Sequence, residues 1–257
     1  MNSILSWGAF KRIVATAAVS GLIAGLLLTA VQQIQIRPII AQAEIYEQAA
    51  SVVAIEHNQD IHEHTIAHEH EANEHSTSDW QPAEGAQRMA FTTLANISLA
   101  ISFGLFITAA FSLCVSSEKK AKASPANCKV DNWLAGILWG LAGYVVFFVT
   151  PSLGLPPELP GTQLAPLHDR QIWWLLTVLT SATGLYLLVF VKQPGFKVLG
   201  LLLIVTPYII GAPEQASHAT PALEELASIF IQATAIVNAI FWLSLGVLIS
   251  YFYKIFK

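Results

Sequence analysis

The sequence predicts an all-α integral membrane protein that crosses the bilayer about six times, with both termini in the cytoplasm. Hydrophobic residues make up 54% of the 257 residues and charged residues only 12%, which is about half the charged fraction of a soluble domain. No Asp, Glu, Lys or Arg occurs from Ile13 to Val31 or from Phe91 to Val115. A spanning helix needs roughly 20 apolar residues, so both runs are long enough to cross.

Six apolar segments account for the predicted helices, because backbone amides in lipid must be hydrogen-bonded within their own segment. The fifth segment is the shortest and contains Pro207, so a five-helix alternative omits it. The pairs Gly21/Gly25 and Gly136/Gly140 have the spacing that lets helix backbones approach closely in lipid. The segments are Ile13–Val31, Phe91–Val115, Trp133–Val149, Ile172–Val191, Phe196–Gly211 and Ser228–Phe252, with Trp133, Trp173, Trp174, Tyr208, Tyr251 and Tyr253 expected at the membrane interfaces.

The distribution of charge predicts the orientation. Ten of the 13 Lys and Arg residues fall in the N-terminus, the C-terminus and alternate loops, and three fall in the other loops. Basic residues concentrate on the cytoplasmic side, whereas of the 17 acidic residues only Glu118 and Asp131 lie there. Omitting the fifth helix would move Lys254 and Lys257 outside, so the charge rule favours six helices. The chain then divides into an N-terminal segment and first helix (1–31), an extracytoplasmic loop (32–90) and a five-helix membrane domain (91–257).

The first apolar segment raises the alternative of a cleaved signal peptide, with Ala41-Gln42-Ala43 as its cleavage box. The segment exceeds the roughly 7–15 residues of a signal core, and the box lies beyond Arg37 and Pro38. We therefore predict a retained membrane helix. The two cysteines, Cys114 and Cys128, are predicted to be free thiols, since both lie near a loop assigned to the reducing cytoplasm.

A histidine- and acid-rich stretch in the predicted outer loop is the strongest local signal. It reads HNQDIHEHTIAHEHEANEH from 57 to 75 and holds six of the chain's eight histidines. Imidazole and carboxylate bind divalent transition metals, so the stretch predicts metal capture, against the alternative of a solvated acidic linker. In a helix only His64 and His68 could share one ion, so we expect weak, exchangeable binding at several sites. The candidate ligands are His57, His62, His64, His68, His70, His75, Glu63 and Glu69.

No motif for enzymatic chemistry is present. The zinc-protease pattern H-E-x-x-H fails twice, because Ile66 stands four residues after His62 and Ala72 four residues after His68. The sequence contains neither a P-loop nor a nucleophile elbow, and no basic stripe indicates nucleic acid. We therefore predict no enzyme, no cofactor and no nucleic-acid partner. A membrane enzyme that uses a loop-bound metal remains a rival, and it would need a rigid site with three fixed ligands.

The predicted helices contain no ionisable residue in their middles, which counts against a self-contained proton-coupled pump. The polar residues that remain there are expected to form interhelical hydrogen bonds rather than to contact an ion. They are Asn96, Gln232, Thr234 and Asn238.

Two further loops on the predicted outer side carry acids and histidines. A turn-rich stretch, 151–161, is followed by the segment His168–Trp174. Together with the loop after 211, these could form the mouth of an ion path. The alternative is interface anchoring, with Arg170 paired to an acid and with Trp173 and Trp174 at the lipid headgroups. The candidate mouth residues are Glu158, His168, Glu214 and His218.

Two motifs make the sequence recognisable, Gly154-Leu-Pro-Pro-Glu-Leu-Pro-Gly161 and Arg170-Gln-Ile-Trp-Trp174. With these motifs and the histidine loop, the chain resembles the CbtA family of predicted cobalt transporter subunits. Further matching stretches are Ala43-Glu44-Ile45-Tyr46-Glu47, Trp80-Gln-Pro, Trp139-Gly140-Leu-Ala-Gly143, Gly211-Ala-Pro213, Phe241-Trp242 and Leu245-Gly246.

The resemblance implies cobalt uptake for cobalamin synthesis in the bacterial inner membrane, beside a small one-helix partner, CbtB, with its own histidine motif. The family is usually described with five membrane segments, and its members often carry His where this chain has Tyr208. Ligand type alone indicates only a divalent transition metal, since imidazole affinity does not single out cobalt. The predicted function is thus a lipid-embedded subunit for divalent metal uptake, with Co2+ as the ion. The alternative is a membrane-anchored module that binds or senses metal without transporting it.

Overall fold

The computed structural model describes residues 7–46, 82–83, 85–118, 133–159, 165–213 and 221–256. All regular structure in these residues is helical, which confirms the predicted all-α class. The elements are α1 (Trp7–Gln35), α2 (37–46), α3 (Ala86–Glu118), α4 (Trp133–Tyr144), a π-helical turn (Val145–Val149), α5 (Thr150–Ser152), α6 (Leu167–Phe190), α7 (Pro194–Ile210) and α8 (Pro221–Ile255).

Five of the described helices are long and apolar enough to cross a membrane: α1, α3, the continuous stretch from α4 to α5, α6 and α8. Helix α7 has 17 residues, so it is about 25 Å long and lies at the lower limit for a spanning helix. Each of the six predicted apolar segments is helical except for its last residue in two cases, Val191 and Gly211. The chain is therefore a polytopic membrane protein.

Glycine residues allow α1 and α3 to pack closely side by side. A Cβ atom on Gly21 would lie 2.6 Å from the Cα atom of Ile101, and one on Gly25 would lie 2.6 Å from the Cα atom of Ile97. Residue numbers rise along α1 as they fall along α3, so the two helices are antiparallel. This contact confirms the close packing predicted from the first glycine pair.

Helices α4 and α8 meet in the same manner. A Cβ atom on Gly136 would lie 2.7 Å from the carbonyl oxygen of Gly246, and one on Gly246 would lie 2.6 Å from the amide nitrogen of Gly140. The side chain of Trp242 covers Gly143 and stacks on Phe147, with ring centroids 5.3 Å apart. The second glycine pair therefore also packs as predicted, around a buried aromatic core.

The two ends of the described chain lie together. Arg12 of α1 donates hydrogen bonds to the carbonyl oxygen of Tyr253 in α8 and lies over the Tyr253 ring, 3.7 Å from its centroid. The Tyr253 hydroxyl donates to Ser112 in α3 at 3.0 Å. These partners hold the Tyr253 ring inside the bundle, where the residue is 4% exposed, and its place at the depth of the membrane interface stays a prediction. We name this the basic end, since it carries Lys11, Arg12, Lys192, Lys197 and Lys254.

The opposite end of the bundle is the acidic end. The long helices α1, α3, α4, α6, α7 and α8 alternate in direction along the chain. The first turns of α3, α6 and α8 therefore lie at this end, together with the last turns of α1 and α7. Arg88 of α3 forms an ion pair with Glu44 of α2 at 3.0 Å. The charged residues of this end are Arg37, Glu44, Arg88, Glu158, Asp169, Arg170, Glu224 and Glu225.

Two details of the prediction change. The segment assigned as loop, 32–90, contains the end of α1, all of α2 and the start of α3, because helical structure continues beyond the hydrophobic core of a bilayer.

Cys114 is disulfide-bonded, so the predicted free thiol is wrong for this residue. The prediction rested on the expected compartment, which does not reveal which sulfur atoms come close. Cys128 lies outside the described residues.

Candidate functional site

The helix that begins as α4 is broken where it reaches the acidic end. A π-helical turn, Val145–Val149, is followed by α5, which contains Pro151. The helix ends at Ser152. Thr150 donates its hydroxyl to the carbonyl oxygens of Val145 and Val146 at 3.1 and 3.2 Å. Single π turns occur often at functional sites, and Pro cannot supply a backbone N–H to continue the helix.

Trp173 holds the chain that leaves this break. Its ring lies against Gly154, where a Cβ atom would be 2.5 Å from Cζ2, and only 4% of the residue is exposed. The ring also meets Tyr208 of α7 edge-on, with centroids 6.3 Å apart, and the Tyr208 hydroxyl donates to the carbonyl oxygen of Thr150 at 2.6 Å. The prediction that Trp173 anchors in the headgroups is therefore wrong, since protein rather than lipid surrounds it.

Three of the recognised sequence motifs thus meet at one corner. Gly154 belongs to the first, Trp173 to the second, and Ala212 of the Gly-Ala-Pro stretch lies 3.3 Å from the position of a Gly154 Cβ atom. Gly211 has φ of 89° and ends α7, a conformation that favours glycine. We name Thr150, Gly154, Trp173 and Tyr208 the corner.

Glu158 and Arg170 join two of the same motifs by charge. Their closest side-chain atoms, Oε2 and Nη2, are 3.5 Å apart, and the side chains are 15% and 29% exposed. A partly buried pair is screened less by water and salt than a surface pair. The predicted alternative in which Arg170 pairs with an acid is therefore present, with Glu158 as the acid.

Leu159 connects the corner to the rest of the acidic end. It is buried in a cluster with Ala43 of α2 and with Leu226 and Phe230 of α8. Two adjacent residues thus reach different helices, since Glu158 pairs with Arg170 of α6 and Leu159 packs on α2 and α8.

His168 lies in the first turn of α6, two residues before Arg170. Its side chain is 80% exposed, and its Nδ1 atom is 3.6 Å from a carboxylate oxygen of Asp169. An imidazole and a carboxylate at this distance remain open to an approaching cation. Glu214 and His218, the other candidate mouth residues, lie outside the described residues.

The predicted ligands of the histidine loop also lie outside the described residues. Within the parts of the chain that the structure describes, no group of three or more His, Cys, Asp or Glu side chains could hold a metal ion. The described residues of the membrane domain therefore contain no such ligand cluster.

The polar residues inside the helices differ in their partners. Asn96 of α3 donates to Thr29 and Gln32 of α1 at 3.0 and 2.7 Å, as predicted. Asn238 instead donates to the Thr234 carbonyl oxygen within its own helix, so its predicted interhelical bond is wrong. The α8 backbone four residues earlier offers the nearer acceptor.

The fold and the corner define a polytopic helical membrane protein in which one charged end is built from several motif stretches. The sequence model of the CbtA family, described as a probable cobalt transporter subunit, matches residues 10–254, and the chain belongs to this family. No curated protein and no solved structure is significantly similar to the chain. As the description names a subunit, a transporter of this family has at least one further component.

Proposed function

We propose that this chain is the membrane subunit of an uptake system for divalent transition metal ions, with cobalt as the substrate. The observation that carries the proposal is the family match over residues 10–254. The direct contacts of Gly154 with Trp173 and Ala212 support it, because they bring three of the motifs behind the resemblance into one packed corner.

The histidine loop is proposed to concentrate the ion outside the membrane. Six imidazoles and the interleaved carboxylates offer several weak sites, from which an ion can be released again. Rapid release favours transport over storage, because an ion held by one rigid site would leave slowly.

The acidic end is proposed to receive the ion from the loop. His168 and Asp169 are exposed there, and the candidate residues Glu214 and His218 follow α7 in the sequence. Glu158 is proposed to contribute its negative field while its carboxylate holds Arg170. The acidic end would then face the cell exterior and the basic end the cytoplasm, as expected for an inner-membrane protein of a bacterium.

A small membrane partner with one helix and its own histidines, similar to CbtB, is proposed as the further component. The middles of the described spanning helices hold no Asp, Glu, Lys, Arg or His. The source of energy is therefore proposed to lie outside these helices.

Uptake of labelled cobalt tests the proposal directly. Cells that lack this chain, grown under cobalt scarcity, should accumulate the label more slowly than cells that carry it. Equal rates in the two strains would refute the proposal.

Deletion of residues 57–76 separates transport from sensing. A transporter without its loop should keep cobalt uptake but require higher external cobalt for the same rate. A membrane-anchored sensor should instead lose a cobalt-dependent response while uptake is unaffected at every concentration.

A further inference from the structure

The spanning helices form two bodies that are each tightly packed. We name α1, α3, α4 and α8 the four-helix body, in which glycine pairs bring backbones into contact. We name α6 and α7 the hairpin. In the hairpin a Cβ atom on Gly184 would lie 2.5 Å from the carbonyl oxygen of Gly200, and the reciprocal distance is 2.8 Å. Contacts between backbones leave little room for sliding, so each body is expected to be rigid.

The contacts between the two bodies are made by side chains, whereas backbones touch within each body. Aromatic side chains connect them, Phe147 with Trp174 beside the corner and Trp139 with Phe190 toward the basic end, each pair with ring centroids 6.4 Å apart. A cavity of about 520 Å³ lies between α3 and α6 over α4. Its lining includes Phe106, Ala110, Trp139, Ala142, Tyr186 and Phe190. Phe106 and Tyr186 in this lining are exposed, so the cavity is an open groove in which α3 and α6 do not pack on each other.

The cavity extends from the π turn, where Val145 and Phe147 line it, to the last turns of α6 near the basic end. Helix α6 contributes residues 182–190 to it, which form its last turns, whereas the corner contacts the first turns of α6. The backbone of the hairpin approaches the other body mainly at the π turn and α5, so the bodies are joined more closely at the acidic end than toward the basic end.

The connection at the acidic end has the features of a hinge. The π turn and Pro151 interrupt the helix there, and such interruptions are where helices bend. The adjacent residues Glu158 and Leu159 contact different bodies: Glu158 pairs with Arg170 of the hairpin, and Leu159 packs on Leu226 and Phe230 of the four-helix body. One dipeptide thus ties the two bodies at the end where they meet.

We propose that the hairpin rocks as one rigid unit against the four-helix body about the corner, with Glu158 and Leu159 holding the pivot. This inference rests on the proposed transport function, since transport requires a path to open and close whereas an anchor does not. The cavity is then the space that changes during the movement. Closure would bring α6 toward α3 and narrow this space.

Distances between spin labels test the movement without measuring transport. Nitroxides are placed on keto-bearing unnatural residues, which leaves the native cysteines unchanged, in the full chain co-purified with its partner component in native-lipid nanodiscs. The pair Leu113 and Val189 spans the cavity near the basic end, Ile45 and Leu167 span the pivot, and Val189 and Leu199 lie within the hairpin. These five side chains are all exposed.

Addition of Co2+ should shift or redistribute the Leu113–Val189 distance by several ångströms, while the other two distances stay constant. An unchanged Leu113–Val189 distance, or an equal change within the hairpin, would overturn the inference. Cobalt uptake measured in cells is a separate result, so failure of the rocking motion is distinguishable from failure of the proposed function.

The role of the pivot has its own test. In the unmodified chain the Ile45–Leu167 distance should give a single narrow peak. Glu158→Gln should broaden or split this peak, and the charge reversal Glu158→Arg with Arg170→Glu should restore it. If Glu158→Gln leaves that peak unchanged, the pair does not hold the pivot. The Val189–Leu199 distance reports in each variant whether the hairpin has folded.

Discussion

Trp173 and Gly154 are in direct contact, although 18 positions of the chain separate them. The indole ring covers the glycine so closely that a Cβ atom there would lie 2.5 Å from Cζ2. Trp173 is buried, and Tyr208 meets its ring edge-on. Movement of the ring would therefore disturb α7. The corner forms as described only if residue 154 is small enough to lie against the ring.

Gly154→Ala should destabilise the protein. The added methyl group would displace a buried ring, and overpacking of this kind costs about 1–3 kcal/mol. Thermal or mixed-micelle unfolding followed by tryptophan fluorescence measures the loss. Gly195→Ala is the matched control, because nothing lies within 4 Å of a Cβ atom there and Ala favours a helix over Gly by up to about 1 kcal/mol. Equal stability of the two variants would contradict the contact.

The features that could be predicted from sequence are local ones. Charge-free runs such as Phe91–Val115 match the thickness of a bilayer, and glycines four residues apart, such as Gly21 and Gly25, share a helix face. Each pattern can be recognised within a single segment, without knowing what that segment contacts. The helical segments were therefore predicted correctly, as was close packing at the two glycine pairs, whereas the contact between Gly184 and Gly200 was not predicted.

The corner could not be predicted because its contacts join distant segments. The Tyr208 hydroxyl reaches Thr150 across 58 residues, and the pattern around Tyr208 gives no sign of that acceptor. Trp173 was predicted at an interface from the average preference of Trp, which a specific tertiary contact overrides. The role of His57 to His75 as metal ligands lies outside the described residues and stays a prediction.

Gly246→Ala should destabilise the protein more than Gly104→Ala does. At Gly246 the new Cβ atom would lie 2.6 Å from the backbone nitrogen of Gly140, so α4 and α8 must separate to accept it. At Gly104 the nearest atom, the carbonyl oxygen of Ala17, is 3.3 Å away and a small adjustment suffices. Unfolding in mixed micelles ranks the two, and the reverse order would show that α4 and α8 pack less tightly than described.

Cobalt binding by the full chain should weaken as the pH falls through about 6.5, the ordinary pKa of imidazole, because protons compete with the metal for the ring nitrogen. Calorimetric titration with Co2+ between pH 7.5 and 5.5 measures the effect. Replacing the six loop histidines with Asn should abolish the pH-dependent binding. The matched acid variant, Glu63→Gln with Glu69→Gln, should bind more weakly but keep the same pH midpoint. Binding that is independent of pH would exclude imidazole ligands.

The state of Cys114 reports on the compartment at its end of α3. The residue is disulfide-bonded in the structure, whereas a cytoplasmic cysteine is normally reduced. If the basic end is cytoplasmic as proposed, the bond forms only when oxygen oxidises the purified protein. Cys114 should then be alkylated in cells quenched with acid, and protected in protein purified in air until a reductant is added. Mass spectrometry of the alkylated peptide distinguishes the two states. Protection in the quenched cells would place the basic end in an oxidising compartment and reverse the proposed orientation.

Helix α7 is expected to be the sixth crossing although it has only 17 residues. Its first turn follows the end of α6 at the basic end, and its last turn reaches Thr150 at the acidic end, so it extends along the same membrane depth as Trp173–Phe190 of α6. Cysteine at Ile210 should react with a membrane-impermeant maleimide applied from outside, as should cysteine at His168. Cysteine at Gly195 should react only after the membrane is permeabilised, and the unmodified chain gives the background from the native cysteines. Reaction of Gly195→Cys and Ile210→Cys from the same side would mean that α7 does not cross, leaving five spanning helices.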